Sequence, residues 1–255
     1  MTSPRPTEAR SGPALPPPPR LGAGHALFLD FDGTLAAIAP TPGEVVVDAA
    51  LPELLAALAR RLDGAVAVVS GRALADVDAR LGTPLAGAGQ HGAEFRRRPG
   101  EPAQVRIPAG IPAVAYALSL CFGRDPRLRI EDKGASVALH YRQAPEREHE
   151  CVQALRSLAE PWHSLEVIGG KCVVEARLRG VDKGTALRTL ARDPPFAARA
   201  PVFVGDDATD EDGFAAAQSA GGYGVKVGDG ATLARYRCAG VADVHAWLRA
   251  SAQAP

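Results

Sequence analysis

Two carboxylates stand where chemistry can start. Asp30 and Asp32 lie two residues apart in Asp30-Phe31-Asp32-Gly33-Thr34-Leu35, directly after the apolar run Ala26-Leu27-Phe28-Leu29. Held together at a strand end they repel unless a cation joins them. A hard divalent ion such as Mg²⁺, which favours carboxylate, carbonyl and water oxygens, removes that cost. It also brings a phosphate within reach of Asp30, and carboxylates serve as covalent nucleophiles toward phosphorus. Asp32 can then protonate a departing oxygen and later take a proton from water. A pair of turn-forming aspartates has the same two letters and no chemistry.

Three further segments carry matching signals. Ser70-Gly71-Arg72 follows a β-rich run and enters a helix, so its hydroxyl and backbone N–H groups can meet an anion, although helix capping explains Ser70 equally well. Asp182-Lys183-Gly184-Thr185 opens another helix. A lysine there faces the positive end of the dipole, so it either answers a nearby negative charge or sits in solvent. Gly205 to Asp212 places five acids in the seven residues from Asp206 onward. That density needs a cation or hydrogen-bond donors, or else is a solvated helix start. Gly87-Ala88-Gly89-Gln90-His91-Gly92 fits G-x-G-x-x-G, but three arginines, a proline and a glycine follow it between Glu94 and Gly100 where a helix is required, so a dinucleotide site is rejected.

The elements that must position these residues alternate. Strands are expected at Ala26–Phe31 and Ala65–Val69, with helices at Ala49–Leu62 and Ala73–Leu81. The rhythm returns with a helix over Asp182–Arg192, a strand over Pro201–Val204, a helix after Asp207 and a strand over Tyr223–Val227. This predicts an α/β fold of Rossmann type, a parallel sheet with helices on both faces, whose ligand crevice lies at the carboxyl ends of the strands. Between the halves, four short strands and two helices with Gly-containing connections read as an inserted, smaller α+β module. The expected division is a disordered Pro-rich tail over 1–22, a core over 23–104 and 177–255, and the insert over 105–176.

Composition narrows the partners. Twenty-nine basic residues balance 29 acidic ones, which leaves no global reason to bind nucleic acid or an anionic membrane. Any phosphate must be met by a local site. The longest nearly apolar run, Ala113 to Phe122, is too short to span a bilayer. The first 20 residues hold seven prolines and three arginines, not the apolar segment of a secretory signal, so a cytoplasmic protein is expected. Cys121, Cys151, Cys172 and Cys238 lie tens of residues apart and read as buried, reduced thiols.

In chain order, Asp30-x-Asp32-x-Thr34, Ser70, Lys183 and Gly205-Asp206-x-x-Thr209-Asp210 resemble the four motifs of the haloacid dehalogenase superfamily. Within it, the wording is similar to the trehalose-6-phosphate phosphatase family. The matching phrases are Leu29 to Leu35 with Pro40-Thr41-Pro42, Val69-Ser70-Gly71-Arg72, His91-Gly92-Ala93-Glu94, Gly205 to Glu211, Glu131-Asp132-Lys133 and His140-Tyr141-Arg142. The resemblance implies a phosphatase with Asp30 as nucleophile and Asp32 as general acid/base. It implies Mg²⁺ held by the Asp30 carboxylate, the Asp32 carbonyl and Asp206, with Asp207 and Asp210 acting through water. Ser70 and Lys183 would bind phosphoryl oxygens. Gly71, Arg72, His91 and the cap residues Glu131, Lys133, Lys171 and Glu175 would meet a sugar phosphate. Many superfamily members carry Asn where this chain has Thr209. The expected partner is a small sugar phosphate, the substrate of a monomeric protein, and the rivals are another sugar-phosphate phosphatase (sucrose or glucosylglycerol phosphate), a phosphomutase, or a non-catalytic sugar-phosphate-binding domain.

Overall fold

A computed structural model describes residues 15–39 and 42–253. The first part of the chain forms β1 (His25–Leu29), α1 (Leu51–Arg61), β2 (Val66–Val69), α2 (Leu74–Leu81), β3 (Ala86–Gly89), β4 (Glu94–Arg96) and β5 (Gln104–Val105). The middle forms α3 (Gly110–Phe122), β6 (Arg129–Asp132), β7 (Val137–His140), α4 (Glu148–Ala159), β8 (Leu165–Gly170) and β9 (Val173–Leu178). The last part forms α5 (Lys183–Leu190), β10 (Ala200–Gly205), α6 (Glu211–Ser219), β11 (Tyr223–Val227), β12 (Tyr236–Cys238) and α7 (Val241–Ala252).

Among the described residues the larger sheet has the order β12-β11-β10-β1-β2-β3-β4-β5. It is parallel from β12 to β3, as expected, and β4 and β5 extend it as antiparallel edge strands. Its central strands are fully buried apolar runs, Ala26 to Leu29, Val66 to Val69 and Val202 to Val204, which is how a parallel sheet covered on both faces reads in sequence. The chain leaves β1 toward β2 and β3, then returns on the other side through β10 and β11. That reversal opens a crevice between the carboxyl ends of β1 and β10.

β3 carries no β-branched residue and gives no strand signal of its own. Gly87 explains its place: a Cβ there would stand 2.4 Å from the Val68 carbonyl oxygen, so only glycine lets the strand lie against β2. No helix follows this glycine-rich segment. A short 3-10 turn at Gln90–Gly92 leads into β4 instead, in keeping with the rejected dinucleotide site.

The middle segment builds its own antiparallel sheet, β6-β7-β9-β8, with α3 and α4 on one face. A separate apolar cluster runs from Ile111 through Leu118, Leu139 and Leu155 to Ala176. Gln104 and Val105 pair with β4, so this part of the chain still belongs to the larger sheet.

Two expectations need correction. Residues 15–22, read as part of a disordered tail, are packed: Leu21 is buried and its N–H donates to Ser251 Oγ, the Pro19 carbonyl accepts from Trp247 Nε1, and the Pro16 carbonyl accepts from Arg237 N. Prolines fix φ and reduce the ordering entropy, and their carbonyls still accept hydrogen bonds from α7 and β12. Residues 1–14 lie outside the described residues. The four cysteines are free, but Cys121 is exposed and Cys172 only half-buried, because Cys121 falls on the outer face of α3.

Candidate active site

β1 and β10 pair in register, Leu29 beside Val204, and the N–H of Asp30 donates to the Val204 carbonyl at 2.9 Å. The two loops that leave these strands are therefore neighbours. Gly33 turns the first loop at φ +78°, and a Cβ on it would stand 2.1 Å from Asp206 Oδ2. The aspartate of the second loop thus occupies the space that glycine leaves open. Asp30, Asp206 and Asp210 consequently bring one carboxylate oxygen each within 4.8 Å of one another.

Lys183 completes the cluster from a third segment. Asp182 caps α5 by accepting from Thr185 N at 2.6 Å, and Thr185 Oγ1 accepts from Asp182 N in return, a reciprocal cap that fixes Lys183 as the first helical residue. Its Nζ donates to Asp30 Oδ1 at 2.8 Å and Asp210 Oδ1 at 2.7 Å. Lys183 is 3% exposed, Asp30 4% and Asp210 0%, so the lysine at the helix start answers buried carboxylates and is no surface group. Its ammonium is held protonated well above the ordinary lysine range by Asp30 and Asp210 against the opposing effect of burial.

Burial dominates the acids. It pushes Asp206 up to about 6, helped by the charges of Asp210 and Asp207. It also raises Asp30 and Asp210, with Lys183 opposing in both cases. Three carboxylates facing one ammonium leave a demand for two further positive charges. Hard oxygen donors with that deficit suit a divalent cation, and the residues present fit one. Asp210 is the most committed of the three, because its Oδ2 also accepts from the N–H groups of Asp206 and Asp207 at 2.9 and 3.0 Å. Asp207 stands apart from the trio, with its Oδ1 accepting from Thr209 N and Oγ1 at 2.8 and 2.7 Å. The Thr209 hydroxyl thus braces the acidic loop.

A cavity of about 580 Å³ opens over this cluster. Asp30, Asp32, Ser70, Gly71, Arg72, His91, Lys183, Asp207 and Thr209 line it from the larger sheet, and Glu131, Lys133 and His140 from the smaller one. Ser70 is buried at the end of β2, and α2 begins only at Leu74 with no side-chain cap. Capping therefore does not account for it. The N-terminal N–H of α2 is instead satisfied by Glu94, whose Oε2 accepts from Leu74 N at 2.8 Å. His91 sits at φ +57° against Gly71, and burial together with the Lys183 charge lowers its imidazole to about 4, so it is neutral near pH 7. Its Nδ1 is buried and has no partner among the described residues.

Two predicted residues lie elsewhere. Glu175, on β9, does not line the cavity but pairs with Lys133 at 3.2 Å and holds it from behind. Lys171 is exposed in the β8–β9 turn, away from the cavity. Other residues were not singled out by sequence. Lys226, a lone cation in the apolar strand β11, is buried and donates to the Asp206 carbonyl and to the Val227 carbonyl. His140, quoted among the matching phrases but given no role there, meets Glu131 at 2.8 Å and holds that carboxyl below its ordinary value. Asp76 and Arg80 also line the cavity; Asp76 lies four residues after Arg72 and Arg80 four after Asp76, and that charge spacing is the signal that marks them.

The sequence matches the model of the trehalose-phosphatase family over residues 28–240. The chain belongs to the trehalose-phosphatase family. A trehalose-6-phosphate phosphatase of Escherichia coli K12 is 43% identical over 234 residues, which is 90% of this chain and 87% of the relative. A probable trehalose-phosphate phosphatase of Sinorhizobium fredii is 39% identical over 206 residues, 80% of this chain and 77% of the relative. The fold agrees with the family: the crystal structure of a trehalose-6-phosphate phosphatase related protein superposes with a TM-score of 0.74 at 27% identity, covering 89% of this chain and 96% of the other. Membership makes the chain a phosphoric monoester hydrolase. Among the described residues no helix is long and apolar enough to cross a membrane.

Proposed function

We propose that the chain hydrolyses trehalose 6-phosphate to trehalose and inorganic phosphate, with Asp30 as nucleophile. The observation that carries this reading is the meeting of Asp30, Lys183, Asp206 and Asp210, drawn from three distant segments, inside a family whose named members act on that ester. Asp30, Asp206 and the Asp32 carbonyl would hold Mg²⁺, with Asp207 and Asp210 behind them. When bound, the cation offsets charge on the transferring phosphoryl oxygens.

The chain's own groups account for the rest. Lys183 orients the Asp30 carboxylate and shares the phosphoryl charge with the Ser70 hydroxyl. The bond from Asp30 to phosphorus forms as the bond from phosphorus to the sugar oxygen breaks, and Asp32 gives its proton to that oxygen. Asp32 then takes a proton from water as the water oxygen attacks phosphorus, and the Asp30–phosphorus bond breaks to return the free carboxylate. Glu131 and Lys133 face the cluster across the cavity and would hold sugar hydroxyls, while the insert acts as a cap that excludes water. The neutral His91 beside Lys183 offers a hydrogen bond without a second charge.

Phosphate release across a panel of sugar phosphates, with and without EDTA, tests the proposal. Trehalose 6-phosphate is expected to give the highest kcat/KM, and EDTA to abolish it. Equal or faster release from sucrose or glucosylglycerol phosphate would overturn the substrate assignment. Asp30→Asn is expected to keep its far-UV circular dichroism and lose turnover by on the order of 10³-fold or more. Wild-type turnover in that variant would remove Asp30 as nucleophile.

A further inference from the structure

Arg72 lines the cavity and invites assignment to the substrate, but its guanidinium is already engaged. Nε donates to Asp32 Oδ2 at 2.6 Å and Nη2 donates to Asp32 Oδ1 at 2.8 Å, a fork that meets both oxygens of one carboxylate. Nη1 turns the other way and donates to Asp76 Oδ2 at 2.6 Å. The guanidinium carbon stands 5.7 Å from the centre of the Phe31 ring, which closes one face of the fork. The Arg72 side chain is 12% exposed, whereas that of Asp32 is 37% exposed and has no other side-chain donor among the described residues.

The far end is braced as well. Arg80 returns to Asp76 through Nε at 3.2 Å and Nη2 at 3.1 Å, and its Nη1 donates to the Val45 carbonyl at 3.3 Å. Asp76 and Arg80 sit one turn apart on α2, so the helix itself spaces the brace. Alternating charges thus run from Asp32 through Arg72, Asp76 and Arg80 to the backbone of the loop after β1.

We propose that Arg72 is a positioning residue for Asp32 and not a ligand of the substrate, and that Asp76 and Arg80 are the brace that keeps it in place. The inference rests on the reading of Asp32 as the acid and base of the proposed reaction. A half-exposed carboxylate in a glycine turn has several rotamers, and proton transfer needs one of them. Two parallel N–H bonds from a planar fork fix both the direction and the plane of the carboxylate, which a single ammonium does not do. The fork uses two of about four lone-pair sites on the carboxylate, so the remaining ones are left to hold the proton or the attacking water.

Leaving-group dependence separates positioning of an acid from binding of a phosphate. Nitrophenolate departs from phosphorus without a proton, whereas a sugar alkoxide needs one. In the Mg²⁺-loaded full chain, Arg72→Gln is expected to slow single-turnover release from trehalose 6-phosphate by about 10²-fold, with KM changed by less than about threefold. With p-nitrophenyl phosphate the pre-steady-state burst of nitrophenolate should keep its rate and amplitude, while the steady state that follows slows, because hydrolysis of the phosphorylated Asp30 still needs Asp32 as base. Asp32→Asn should give the same split, and the double variant should lose little beyond the worse single one. Asp76→Asn, at the half-exposed brace, should show the pattern at smaller amplitude, and it decides the matter if Arg72→Gln does not fold. A rise in KM of about tenfold or more for both substrates, or loss of the burst, would show that Arg72 meets the phosphoryl group and would overturn the proposal. Wild-type inactivity on trehalose 6-phosphate strikes the substrate reading alone, because any sugar phosphate that turns over serves for the comparison.

Discussion

Asp206 links the chemistry of single residues to pH. Its carboxyl is pushed up to about 6 by burial and then by Asp210 and Asp207. An acid raised above its ordinary value of about 4 binds more protons in the folded state than in the unfolded one, so stability from this group is lost as pH rises through about 4 to 6. Cation binding requires the deprotonated form, so the two effects oppose. The thermal midpoint of the metal-free protein is therefore expected to gain more from added Mg²⁺ at pH 7 than at pH 5, and equal gains would contradict the role of the acidic trio. Gly33 gives a second test at this scale. In Gly33→Ala the new methyl must displace the Asp206 carboxylate and tolerate a positive φ, so Mg²⁺ affinity measured by titration calorimetry should fall by about tenfold or more while the sheet survives.

At the scale of elements, three helix or strand ends place the working groups. β1 delivers Asp30, β10 delivers the acidic loop, and the reciprocal cap of α5 delivers Lys183. Asp182→Ala removes the cap and is expected to cost about 1 kcal/mol in urea unfolding. It should also lower kcat, because Lys183 then loses its fixed place at the first helical turn; a loss of stability with full activity would separate the two. Much of this was legible beforehand. The apolar runs of β1, β2, β10 and β11 carry their own signal, and each motif sits where a strand ends or a helix begins. β3 was not legible, since Ala-Gly-Ala-Gly makes a strand only because β2 leaves no room for a side chain. Nor was the fork of Arg72 on Asp32, because it joins residues 40 apart in sequence that only the folded chain brings together.

For the whole molecule, two hydrophobic cores face each other over one polar cavity. Gln90 bridges them: its Oε1, buried next to His91, accepts from the Ala135 N–H in the β6–β7 turn at 3.0 Å. Gln90→Ala leaves that buried N–H without a partner, at a cost of about 1–3 kcal/mol to the seam. Limited proteolysis near residues 106–109 and 179–182 should then speed up, and KM for trehalose 6-phosphate should rise; unchanged digestion would show that the seam is held elsewhere.

Residue types and their order determined the fold class and pointed to the carboxylates, the lysine and an insert, because strand and helix periodicity, chain order and local charge density are properties of neighbours in sequence. Tertiary structure alone decided which aspartates share a cation-sized space, that Lys171 stays outside and Glu175 stands behind Lys133, and that Arg72 is bound to Asp32. Those outcomes depend on distances of a few ångströms between segments far apart in the chain. The register of β1 on β10 and the packing of α2 and α5 fix those distances, and no local pattern encodes them.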